Sequence, residues 1–192
     1  MKNKKIIGIC IIVLVILVGV IIGLIILQNS KKNSNNDDAD AKKTVSEFLT
    51  AYHNKDEKAA QYLTTTFNDT KFAYKGFQGI LAEKMTYKII DSNVSKSDST
   101  KTTIDVELNN VDVASILKKY EQSTETDSNK MLSQVENEIN AKSAPMKIFK
   151  ITVTVVDYPT GMKIVMSSDF SNALLGGYNE YISSIIQEDL SK

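Results

Sequence analysis

The chain has 192 residues, no arginine and one cysteine, Cys10, and its 23 lysines balance 23 acidic residues. A lone cysteine excludes a disulfide framework, and the missing guanidinium groups exclude bidentate clamps on phosphate or carboxylate. Residues 1–32 hold five lysines and no acid, so the other 160 carry 18 lysines against 23 acids, a mildly acidic balance that argues against nucleic-acid binding.

A basic tail, residues 1–5, precedes Ile6 to Leu27, which are 22 residues without a charge. As a helix this run is about 33 Å long and matches a hydrocarbon core of about 30 Å, so the bilayer is its expected partner. A cleaved signal peptide is the rival reading. Its apolar region would be shorter and end in small residues, whereas Ile25, Ile26, Leu27, Gln28 and Asn29 follow here. Lipidation of Cys10 fits poorly, because Ile9 precedes it and apolar residues continue. Lys2, Lys4 and Lys5 on one side nearly tie with Lys31, Lys32, Lys42 and Lys43 on the other. The order of basic tail and apolar run favours a cytoplasmic N-terminus and an exported remainder. Gly19 and Gly23 have the spacing that lets membrane helices pair, and read equally as ordinary glycines of an apolar helix.

Residues 28–38 are polar and read as a tether, leaving 39–192 for one domain large enough to fold without staples. Val45, Phe48, Leu49 and Tyr52 stand at i, i+3, i+4 and i+7 and predict a helix over Asp40 to Asn54. A second short helix carries Ala59, Ala60 and Leu63, and a third is expected over Phe67 to Leu81. The period then drops to two. Met85, Tyr87 and Ile89, and then Ile104, Val106 and Leu108, alternate with polar residues and predict two strands around a polar loop, Ser92 to Thr100. Val111 to Tyr120 and Met131 to Ala141 read as helices. Phe149, Ile151, Val153 and Val155 predict a third strand, Tyr158-Pro159-Thr160-Gly161 a turn, and Met162, Ile164 and Met166 a fourth strand. A final helix starts at Phe170, breaks at Gly176-Gly177 and resumes with Tyr178, Tyr181, Ile182 and Ile185. This order is α+β, with helices on one face of an antiparallel sheet.

The opening segment VSEFLTAYHNKDEKAAQYLT, followed by a helix and antiparallel strands, resembles the nuclear transport factor 2-like fold, a cone-shaped α+β domain on a curved sheet. It is similar in particular to small membrane- or lipid-anchored extracytoplasmic proteins of low-GC Gram-positive bacteria. In these a hairpin ending in G-W-K-I precedes NALLGG-like residues. The matching pieces are Gly161-Met162-Lys163-Ile164 and Asn172-Ala173-Leu174-Leu175-Gly176-Gly177, with Met162 where the aromatic stands. The resemblance covers about residues 40–180 and implies fold and location, but no catalytic residue.

Little in the inventory supports chemistry. A histidine-activated nucleophile needs more than His53, which lies in a turn, and Cys10, which lies in the apolar run. Neither zinc ligands nor a phosphate loop has the required spacing. Asp37, Asp38 and Asp40 fall in or beside the tether and read as solvated spacer rather than a cation site. Asp105 and Glu107 share a strand face, with Asp112 just beyond, and are the best candidate carboxylates. Phe67, Phe72, Tyr74, Phe77, Tyr87, Tyr178 and Tyr181 line either a ligand pocket or core; Phe72, Phe77, Tyr87, Tyr178 and Tyr181 are its candidate site residues. No cofactor and no metal is expected. Three functions follow from these readings: a tethered, non-enzymatic domain binding a protein, envelope component or small ligand; a self-associating scaffold subunit, similar in layout to the bitopic inner-membrane component of type IV secretion systems; and an enzyme using a cavity carboxylate.

Overall fold

The computed structural model describes residues 34–64, 74, 76–95, 97–121, 123, 125 and 127–191. The apolar run Ile6 to Leu27 lies outside them, as do Phe67 and Phe72. Among the described residues no helix is long and apolar enough to cross a membrane.

The first helix, α1, is Ser34–His53. It begins inside the stretch 28–38 read as a tether, because nothing there breaks a helix and acidic residues near its start suit the positive end of the helix dipole. Asp38 and Asp40 are therefore helical residues. Val45, Phe48 and Leu49 are fully buried and Tyr52 nearly so, which makes the expected stripe the inner face of α1. A 3-10 helix, Glu57–Tyr62, follows and is capped by Asp56, whose side chain accepts from the Lys58 amide. Of the expected third helix, residues 67–73 and 75 lie outside the described residues; α2 is Phe77–Lys84, starting after Gly76. Met85, expected in a strand, instead ends α2.

Four strands form an antiparallel sheet in sequential order, β1 (Thr86–Val94), β2 (Lys101–Val111), β3 (Met146–Tyr158) and β4 (Gly161–Val165). Register places Ile104 opposite Val153, Val106 opposite Ile151 and Leu108 opposite Phe149, so one face is a continuous apolar surface. A bulge between Ile89 and Asp91 interrupts the β1 edge, a feature that blunts pairing with other chains. At the other edge Leu63 bridges to Ile164 and the Thr64 amide donates to the Ile164 carbonyl at 2.9 Å. The β3–β4 turn has only Pro159 and Thr160 between the paired Tyr158 and Gly161, and Gly161 takes φ +105°.

Between β2 and β3 come α3 (Val113–Tyr120) and α4 (Ser128–Asn140), N-capped by Asp112 and Asp127. After β4 come α5 (Ser168–Leu174) and α6 (Tyr178–Leu190). Helix α1 lies across all four strands, and α5 against β2 and β3. Together they bury a main core in which Phe48 meets Phe170 edge-on at 5.5 Å between ring centroids. A second core gathers Leu81, Val111, Ile116, Ile139, Leu175 and Ile182 between α2, α3, α4, α6 and the end of β2.

The segment Asn172 to Gly177 joins the two cores. Asn110 is fully buried at the end of β2, and its Nδ2 donates to the Ala173 and Leu174 carbonyls at 3.3 and 3.0 Å. Those carbonyls end α5, where helix geometry supplies no i+4 amide of the helix itself; the Ala173 carbonyl also accepts from the Gly176 amide at 3.2 Å. Gly176 has φ +62°, and a Cβ there would lie 2.1 Å from the Val111 carbonyl oxygen. The Gly176 carbonyl in turn accepts from the Val113 and Ala114 amides at the start of α3. Asn172 Oδ1 accepts from the Glu180 amide in the first turn of α6.

Candidate functional site

The aromatic residues divide between the two cores. Phe77, Tyr178 and Tyr181 belong to the second, where the Phe77 and Tyr178 rings lie 5.8 Å apart. Tyr87 packs at the rim of the first. Its hydroxyl lies 2.9 Å from Ser46 Oγ and 3.0 Å from Thr50 Oγ1, which fastens β1 to α1. Tyr74 meets the buried Tyr52 edge-on at 5.7 Å, and its hydroxyl donates to the Asp56 carbonyl.

Burial, helped by the nearby Asp56 charge, pushes the Tyr74 hydroxyl up to about 12, and burial raises Tyr52 further. In the unfolded chain both ionise near pH 10. Their protonated forms therefore stabilise the fold fully below about pH 10, and that contribution is lost as pH rises through about 12. Tyrosinate absorbance should show a late-ionising class that shrinks in Tyr74→Phe, with alkaline unfolding accompanying it. A single titration of all eight tyrosines near pH 10 would contradict this.

The candidate carboxylates all have partners on the surface. Asp105 and Glu107 do share a face, and it is the outer face of the sheet, away from both cores. Asp105 accepts from Thr152 Oγ1 at 2.7 Å, and Glu107 pairs with Lys150 at 3.5 Å. Asp112 is the α3 cap, accepting from the Ser115 amide at 3.1 Å and the Ser115 hydroxyl at 2.6 Å. His53 is exposed at the end of α1, with Nδ1 3.2 Å from the Met85 carbonyl. Asp38 pairs with Lys42 at 3.2 Å, and the Ser92 side chain, followed by Lys42, holds its carboxyl below the usual range. Among the described residues no cluster of three histidine, cysteine or carboxylate groups is placed to hold a metal.

One feature was not expected from the sequence. A cleft of about 210 Å³ opens between the middle of α1 and the β3–β4 hairpin, lined by Asp40, Lys43, Thr44, Glu47, Asp157, Gly161 and Met162. The Thr44 hydroxyl donates to the Asp40 carbonyl at 2.8 Å, and Lys43 faces Glu47 at 3.9 Å. The walls come from opposite ends of the domain's sequence, so no local spacing signals them. Its three acids and one lysine supply neither an activated nucleophile nor a cradle for an anion.

No family model, curated protein or solved structure matches the chain.

Proposed function

We propose that the chain is a single-pass membrane protein with a cytoplasmic N-terminus, whose domain sits outside the cytoplasm and binds a protein, envelope component or small ligand without chemistry. The observation that carries this is the 22-residue uncharged run Ile6 to Leu27 immediately ahead of an α+β domain. Its candidate carboxylates are engaged in capping and cross-strand contacts, which supports binding over catalysis. A nuclear transport factor 2-like fold is part of the same proposal. Supporting it are an opening helix laid across an antiparallel meander and the placement of the Gly161 to Ile164 and Asn172 to Gly177 segments around the cores.

The test is protease shaving of intact cells or spheroplasts carrying an epitope tag at Lys192, with a cytoplasmic protein as control. Loss of the tag while the control survives is expected. Protection of the tag would place the domain inside and overturn the proposal. A scaffold role is the second reading, favoured by α6, where Ile186 and Leu190 are 51% and 83% exposed one turn apart. It requires an oligomer in detergent that Ile186→Lys dissociates.

A further inference from the structure

We propose that the end of the domain formed by its two hairpin tips lies against the headgroups of the bilayer that residues 6–27 enter, an inference that rests on the anchor reading above. Helix α1 runs antiparallel to β1. Asp38, near its start, meets Ser92 near the end of β1; Ser46 and Thr50 meet Tyr87; and His53 meets Met85, just before β1 begins. Asp40, Lys43, Thr44 and Glu47, about one to three turns further along α1, share a cleft with Asp157, Gly161 and Met162, and the pairing of Lys101 with Val156 puts the β1–β2 connection and the β3–β4 turn at the same end of the sheet. The start of α1, the β1–β2 connection and the β3–β4 turn therefore occupy one end of the domain. At the other end lie α2, the start of α3 and the α4–β3 connection, where Lys84 donates to the Ala141 carbonyl and the Asp112 amide to that of Pro145.

Only residues 28–33 separate the apolar run from α1. However they run, six residues span at most about 20 Å, and the headgroup layer itself takes up about 5–8 Å of that. The far end stands about 35 Å away along the 11 residues of β2. The start of α1 is thus held within about 15 Å of the lipid surface, and in the proposed orientation the tips at that end face the surface while the far end projects from it. Their chemistry suits headgroups: Tyr158 is half-buried beside the exposed Pro159 and Thr160, and tyrosine is at home in that layer. Asp98 pairs with Lys101 at 2.8 Å and Asp38 with Lys42, while the neighbouring cleft sets Asp40, Glu47 and Asp157 against Lys43, so the described charges there give anionic lipid no net positive surface. The contact is therefore set by the short connection and not by attraction to anionic lipid.

The experiment uses the full chain with Cys10→Ser, reconstituted in phosphatidylcholine–phosphatidylglycerol vesicles and carrying one new cysteine. Thr160→Cys and Ser99→Cys report the tips and Ser143→Cys the far end; all three positions are exposed. Flotation after an alkaline carbonate wash first establishes that the chain is anchored. Energy transfer from the labelled cysteine to a headgroup dye should then be about twofold or more greater from both tips than from Ser143→Cys, for ends about 35 Å apart, and equal at low and high salt. Equal transfer from the two ends, or more from Ser143→Cys, in floated protein would overturn the orientation while sparing the anchor. A tip advantage that collapses at high salt would overturn the tether as its cause. Failure to float would remove the anchor, and this inference with it.

Discussion

Gly176→Ala should destabilise the domain by at least about 3 kcal/mol, lowering its melting temperature by about 10 °C. The left-handed φ of +62° costs any side chain about 1–2 kcal/mol. The new Cβ would also collide with the Val111 backbone at 2.1 Å and with Val113 Cγ2 at 2.8 Å. Relief requires moving the carbonyl that caps α3, so strain at one residue spreads to the second core. Gly161→Ala is the control. It too has a positive φ, but nothing lies within 4 Å of its Cβ position, so only a conformational cost of about 1–2 kcal/mol is expected. Chemical denaturation of the two variants decides the point, and equal losses would show that the contact with Val111 is not the cause.

Phe48→Ala is expected to cost about 3–5 kcal/mol. Its ring is fully buried, packed edge-on against Phe170 and stacked on Tyr52 at 6.1 Å. Among the described residues α1 is the only helix laid over all four strands, so the cavity would open where the structure is least able to collapse around it. Ile148→Ala, on the outer face and 59% exposed, should change stability by less than about 0.5 kcal/mol. A loss at Phe48 no greater than that at Ile148 would mean that α1 is not the lid of the core.

The elements that could be read from sequence are those whose burial repeats locally. Val45, Phe48, Leu49 and Tyr52 declare a helix face through spacing alone, and Ile104, Val106 and Leu108 declare a strand face in the same way. The turn at Pro159 and Thr160 was legible because few other backbones suit that pair beside a glycine. What remained hidden depends on partners distant in the chain. Periodicity marks Phe77, Tyr87 and Tyr178 as apolar-facing but not that Tyr87 belongs to one core and the other two to a second. Asn110 carries no signal in the sequence; its burial follows from α5 carbonyls that no local pattern places beside it. The polar start of α1 carries no apolar stripe, so its helicity from Ser34 left no trace in the hydrophobic pattern.

The bond between Asn110 and Ala173 closes a loop of 63 residues. On a ribosome adding about 5–20 residues per second, β2 emerges several seconds before the segment that completes it. Throughout that interval Val111, Val113 and Ile116 lack the surface supplied by Leu175, Tyr178 and Ile182. On the proposed anchor reading, a nascent chain inserted through residues 6–27 would wait beside the bilayer with a greasy, unfinished flank. Any premature stop upstream of Gly176 would make that state permanent, presenting quality-control proteases with a tethered, half-closed substrate.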